Sequence, residues 1–162
     1  MIVISDTTAI SNLVRIGEIR LLRILYGKIL IPKAVYEELL VLAQRGIDIL
    51  SILNQELFDG IEVEENDLLQ ELSVELDKGE AEAIILAIEK NADLLLIDEL
   101  KGRKIATEKS IPIIGTLGIL INAKKNNLIT SVKDKMDNLR SIGFWINQNL
   151  YDRIVQLESK LG

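Results

Sequence analysis

The run DLLLID, residues 93–98, constrains this chain more than any other stretch. Four aliphatic residues stand between two acids, with no alternation of apolar and polar positions. A strand with one wet face alternates, so an unbroken apolar run reads as a strand buried on both faces. Burial on both faces requires helices above and below a sheet. The remaining sequence supplies them. Residues 2–5, 28–32 and 111–114 read as further strands, and IEVEE, 61–65, as an edge strand. Helical spacing of apolar residues begins near Ala9 and returns over about 18–25, 33–45, 66–76, 80–90, 101–108, 116–126, 131–141 and 148–161, with 48–58 also read as helical. Strands alternating with helices predict an α/β fold with a central parallel sheet. No repeat, low-complexity tract or linker interrupts the pattern. Residues 1–162 are therefore expected to form one domain, with a core over about 1–126 and C-terminal helices over about 131–161.

Composition removes whole classes of chemistry. The chain has no cysteine and no histidine. Disulfides, thiolate nucleophiles, His-ligated zinc, Ser-His-Asp triads and imidazole acid–base catalysis are excluded. Catalysis must rest on carboxylates, lysines, hydroxyls or a bound metal. The longest apolar runs are too short to span a bilayer, and no basic stretch followed by an apolar one opens the chain, so a cytoplasmic location is expected. Net charge is −6, which at first argues against a nucleic-acid partner. Its distribution says more. Residues 1–100 carry 8 Lys/Arg against 20 Asp/Glu, whereas residues 101–162 carry 11 against 5. A solvated surface with chance asymmetry explains this equally well.

Two acids end apolar strands. Asp6 follows Val3 and Ile4 in VISDTTAIS, and Asp98 closes DLLLID. In open parallel sheets, ligands bind beyond the carboxyl ends of the strands. If these strands are neighbours, both carboxylates face that crevice. The plain alternative is that each acid caps the helix that follows. Helix phase adds two more acids. At 100° per residue, Glu80 shares a face with Ala83, Ile84, Ala87 and Ile88, while Glu82 and Glu89 fall opposite and are expected in solvent. In the 33–45 helix, Glu38 flanks the face of Val35, Leu39 and Leu42, and Glu37 falls opposite. Snorkelling to water, or favourable contact with a helix N-terminus, accounts for Glu38 and Glu80 without any site.

Convergence of Asp6, Glu38, Glu80 and Asp98 would demand a cation. Two carboxylates ~4 Å apart repel by about 4 kcal/mol at an effective dielectric near 20. An all-oxygen donor set selects hard ions, Mg²⁺ or Mn²⁺. Such an ion activates water and bridges phosphate oxygens, which suits phosphodiester hydrolysis.

ISDTTAISNL, IPKAVYEELL and GEAEAIILAIEKNADLLLIDE, in this order, resemble the PIN-domain family of metal-dependent nucleases. With LKGRKIA and IPIIGTLGIL, the likeness covers nearly the whole chain and is nearest to an uncharacterised PIN-like branch. The resemblance implies a Rossmann-like sheet and an acidic cluster binding Mg²⁺ or Mn²⁺. It maps the first strand-end aspartate to Asp6, the glutamate of the VxxEL pattern to Glu38, the acid opening the third motif's helix to Glu80, and the second strand-end aspartate to Asp98. Relatives often carry Asp where Glu80 stands. Thr7, Asn12, Glu99 and Thr116 are secondary candidates beside these acids. Lys101, Arg103 and Lys104 directly follow Asp98 and suit phosphate contacts, although a solvated helix face is an equal reading. Trp145, Leu150 and Tyr151 read as packing in the C-terminal helices. The resemblance further implies RNA as substrate, a homodimer and, as in VapC-type toxins, an antitoxin partner. A non-catalytic nucleic-acid- or protein-binding domain is the competing reading. An aspartate-based phosphatase is a weaker one, because it wants DxD after the first strand and Asp6 is followed by Thr7 and Thr8.

Overall fold

The computed structural model describes residues 1–53 and 56–161; Asn54, Gln55 and Gly162 lie outside the described residues. Five strands, β1 (Val3–Ser5), β2 (Ile29–Pro32), β3 (Phe58–Ile61), β4 (Leu94–Leu96) and β5 (Ile113–Ile114), form one sheet in the order β3-β2-β1-β4-β5. Every strand pair is parallel. The chain builds outward from β1 through β2 to β3, then returns to the other side of β1 for β4 and β5. The strand order therefore reverses between β1 and β4, the position at which such sheets open a crevice.

DLLLID behaves as its composition demands. Leu95 and Leu96 are fully buried and belong to opposite core layers, as do Val3 and Ile4. One layer holds α1 (Thr7–Arg15), α2 (Arg20–Tyr26), α3 (Lys33–Gln44), α8 (Thr116–Lys125), α9 (Val132–Ser141) and α10 (Gln148–Leu161). The other holds α5 (Asp67–Leu72), α6 (Lys78–Glu89) and α7 (Leu100–Glu108). A short α4 (Leu50–Leu53) precedes β3. Among the described residues no helix is long and apolar enough to cross a membrane.

Two expectations shift. The edge strand is Phe58–Ile61 rather than 61–65. Its register explains why: Ile29 pairs with Phe58 and Pro32 with Ile61, and β2 ends at Pro32, so residues past Ile61 have no ladder to join. The expected 48–58 helix is reduced to Leu50–Leu53, and its Asn54 and Gln55 lie outside the described residues.

A third correction concerns α6. Nine consecutive residues, Gly79 to Ala87, are buried. This helix touches β1, β2 and β4 on one side and α3, α5 and α7 around the rest. An enclosed helix has no solvent face for most of its length, so a two-faced phase argument fails there. Glu82, expected in water, is 5% exposed, while Ile88, expected inside, is exposed beyond the enclosed turns. The Glu82 carboxylate accepts from the backbone N–H of Ala34 at 3.4 Å, in the first turn of α3. Pro32 caps α3 with no side-chain bond, so Glu82 supplies an acceptor the local sequence lacks. Burial raises its pKa. Glu82→Gln keeps an acceptor and removes the buried charge, so it is expected to melt at or above the wild-type temperature at pH 8. A clearly lower melting temperature would show that the charge itself holds the α3 terminus.

Candidate functional site

The β1–β4 pairing sets the site. Val3, Ile4 and Ser5 lie opposite Leu94, Leu95 and Leu96, and the Asp6 N–H extends the ladder by donating to the Leu96 carbonyl at 3.0 Å. Asp6 and Asp98 thus leave adjacent strands at the point where strand order reverses. Asp6 is the N-cap of α1: its Oδ1 accepts from the Ala9 N–H at 3.1 Å. The capping expectation is met, through Oδ1. Oδ2 is buried with no hydrogen-bond partner, and the residue is only 1% exposed. Burial pushes the Asp6 carboxyl well above the usual range. The Ala9 N–H opposes that rise, and the charges of Asp98, Glu80 and Asp77 add to it.

Asp98 is held differently. Its Oδ1 accepts from the Thr116 N–H at 2.7 Å, and its Oδ2 accepts from the Thr116 hydroxyl at 2.5 Å and from Asn12 Nδ2 at 3.1 Å. Gly115 is the N-cap of α8 and has no side chain to cap with, so Asp98 performs that task from the neighbouring strand. The approach needs glycine: a Cβ at position 115 would lie 2.7 Å from both Asp98 Oδ1 and Arg103 Nη1. Arg103 donates to the Ile97 carbonyl at 2.9 Å, which fixes its guanidinium beside this turn.

Glu38 and Glu80 gather at the N-terminus of α6. Half-buried Glu38 accepts from the Thr7 hydroxyl and from the Gly79 N–H. A Cβ on Gly79 would stand 2.6 Å from Glu38 Oε2, so the glutamate lies directly on the helix backbone. Its pKa is raised by burial, against the pull of Thr7. Glu80 sits in the first turn, with its N–H donating to Asp77 Oδ1 at 2.8 Å. Burial, then the charges of Asp77 and Glu99, raise the Glu80 carboxyl from 4.5 to about 7. Asp77 is the residue that sequence reasoning passed over. It caps α6 and adds charge beside Asp6, Glu38 and Glu80. The signal was present, since Asp77 followed three residues later by Glu80 is a helix-start signature.

The secondary candidates separate. Asn12 and Thr116 are buried and reach Asp98. Thr7 reaches Glu38 instead, and Glu99 is exposed at the start of α7. Two grooves open at Asp98, of about 710 and 330 Å³. Arg103 lines the larger, whereas the exposed Lys101 and Lys104 line neither. Arg15 lines the smaller groove and Arg153 the larger, and the sequence reading had named neither. Trp145 lines both and is 80% exposed, so it is not the packing residue it was read as.

The donor set fits a hard dication in type and charge. Asp6 offers an unpartnered buried oxygen, its nearest charged neighbours are acids, and all donors are oxygen. Among the described residues no group of three or more acids is arranged to hold an ion. Glu38 and Asp98 are instead engaged by protein donors.

A parallel α/β sheet with paired strand-end carboxylates at its switch point defines a Rossmann-like class of protein. The match to the PIN-domain family model over residues 2–160 is specific within that class, and the chain belongs to the PIN-domain family. The chain is also similar to a PilT N-terminus domain protein, SSO1118, from the hyperthermophilic archaeon Sulfolobus solfataricus P2. The two share 20% identity over 76% of this chain and 93% of that one, with a TM-score of 0.55, a likeness of fold. No curated protein matches the chain.

The raised carboxyls make stability depend on pH. The folded state binds these protons more tightly than the unfolded chain does, so their contribution is full below the ordinary carboxylate range. It is lost as pH rises through about 7, the value for Glu80. Metal-free protein is expected to melt lower at pH 8 than at pH 5. Asp6→Asn keeps the cap on α1, removes a buried charge and should narrow the gap. Asp98→Asn sets an amide N–H₂ among three donors and should lower the melting temperature at both pH values. Equal melting of wild type at both would contradict this electrostatic picture.

Proposed function

We propose that this PIN-domain chain is a Mg²⁺- or Mn²⁺-dependent ribonuclease. The observation that carries the reading is the buried, unpartnered Asp6 Oδ2 near Asp98, which itself lines two grooves. A buried carboxylate oxygen without a donor costs folding energy, and an acid cluster that a cation would neutralise gives that cost a purpose. Asp6 and Asp98 would hold the ion, with Glu38 and Glu80 completing its surroundings. The ion, when bound, lowers the pKa of water and polarises a phosphate.

The chain's own groups do the positioning. Thr116 and Asn12 orient Asp98 through its Oδ2. Thr7 and Gly79 orient Glu38. Glu80, with a carboxyl near 7, can hold or release a proton at neutral pH. Arg103 and Arg15 lie where phosphates would enter the two grooves. A homodimer and an antitoxin covering the cleft belong to the same proposal, as the partners that PIN-domain toxins keep.

A second reading has a specific observation in its favour. Asp98 and Glu38 already act as acceptors at helix N-termini, so the chain would hold its fold as a non-catalytic binding domain. The two readings differ in their response to metal. If the ribonuclease reading holds, Mn²⁺ raises the wild-type melting temperature by several degrees, about 2.7 kcal/mol at 100-fold excess over the dissociation constant. Asp6→Asn then loses both that gain and Mn²⁺-dependent cleavage of single-stranded RNA. Glu37→Gln, on the exposed face of α3, keeps both. No cleavage by wild type at any Mn²⁺ concentration, with no thermal shift, would leave the binding-domain reading.

A further inference from the structure

We propose that Trp145 is a stacking platform for an unpaired base of a single-stranded nucleic acid running through the two grooves past Asp98. The placement beside Asp98 rests on the nuclease reading; the stacking itself can be read without cleavage.

The connection between α9 and α10 is built to present this side chain. Phe144 is half-buried, packed against the core, and Ile146 is buried, while Trp145 between them is 80% exposed. The loop is tied on both sides. The Phe144 N–H donates to the Leu139 carbonyl at 3.0 Å, and Arg140 donates to the Ile146 carbonyl at 3.0 Å and to Gln148 Oε1 at 3.2 Å. Gly143, at φ +93°, provides the left-handed turn that precedes it. The backbone at Trp145 is therefore fixed while its indole stays free. With the backbone already tied, a stacking ligand has only the indole's own side-chain torsions left to order.

Its location supplies the second half of the argument. The two grooves share three lining residues, Asp98, Phe144 and Trp145. Trp145 is thus the ridge between them, on the rim that also carries the strand-end acid. A chain crossing from one groove to the other passes over the indole and beside Asp98.

Cations lie on both sides of the ridge: Arg15 in the smaller groove, Arg103 and Arg153 in the larger. Among the described residues none of the three forms an ion pair. Leu100, 79% exposed, adds an apolar surface to the larger groove. An aromatic face flanked by cations on a groove is how single strands are bound without a base code, each base offering a π-face and each phosphate a charge. A duplex hides its base faces and cannot use the indole. A protein partner would use the apolar wall but has no need of three arginines outside any described ion pair beside an acid site.

The chain has a single tryptophan, so its fluorescence reports this position alone. Oligo(U) and oligo(A) RNA are titrated into full-length protein in EDTA, where no metal-dependent cleavage occurs, beside a duplex of equal length. The proposal expects single strands to quench the emission and the duplex to do so far less. Trp145→Ala, followed by fluorescence anisotropy of a labelled oligonucleotide, should bind about 5- to 150-fold more weakly. Trp145→Tyr should recover most of the affinity, and circular dichroism should show both variants folded, because the indole is outside the core. Unquenched emission, or equal binding by Trp145→Ala, overturns the proposal. So does a Trp145→Ala variant that keeps RNA affinity but loses a dimer by light scattering, which would make this a self-association face. Quenching without any Mn²⁺-dependent cleavage would sustain the platform and sink the nuclease reading; cleavage without quenching would do the reverse.

Discussion

The parallel pairing of β1 with β4 is the constraint on which the rest depends. It joins the first strand to a segment some ninety residues away, through ladder bonds that end at the Asp6 N–H on the Leu96 carbonyl. Because Ile4 and Leu95 lie in register in the core, their strands finish together, and the acids just beyond them emerge together. Because β2 and β3 lie on one side of this pair and β4 leads to β5 on the other, the crossover helices leave a crevice above it. A slip of one residue would send Leu95 and Leu96 into the opposite layers and separate the two carboxylates.

An acid cluster in a low-dielectric crevice needs compensation, and here most of it comes from helix N-termini. In this topology each helix that follows a strand begins at the carboxyl end of the sheet, with unpaired N–H groups and the positive end of its dipole. Asp6 accepts from α1, Glu82 from α3, Glu38 and Asp77 from α6, and Asp98 from α8. The same contacts are cap and charge support at once. They account for a fold that tolerates these acids although, among the described residues, Asp98 forms no ion pair. Asp6 Oδ2 is the exception, since no N–H reaches it. The proposed metal site rests on that one atom.

Much of this was legible in the sequence, where one local signal decided the outcome. DLLLID announced a doubly covered strand, and Asp6 and Asp98 were placed by the strand ends alone. Glu38 was placed by phase because α3 does have a wet side, on which Glu37 lies. Glu82 was misplaced because α6 is enclosed by sheet and helices, a tertiary fact that no 100° wheel contains. The edge strand slipped because its limits follow from where β2 stops, at Pro32, rather than from its own residues. Trp145 was assigned to packing because an aromatic between Phe144 and Ile146 usually packs with them. Only the tied loop, with Phe144 and Ile146 turned inward, reveals that the indole is left outside. Lys101 and Lys104 were favoured by proximity in sequence to Asp98, but α7 turns them away from both grooves and keeps Arg103.

The central claim is that the buried Asp6 oxygen is held for a divalent cation. Crystals soaked in Mn²⁺ and measured for anomalous scattering test it at the atom concerned. If Asp6 is kept for an ion, the map contains a peak within coordination distance, about 2.1 Å, of Asp6 Oδ2 and in contact with Asp98 as well. Crystals of Asp6→Asn grown and soaked in the same way lack that peak. A wild-type map with no peak beside Asp6, at Mn²⁺ concentrations that label other surface carboxylates, would make Asp6 a helix cap and nothing more.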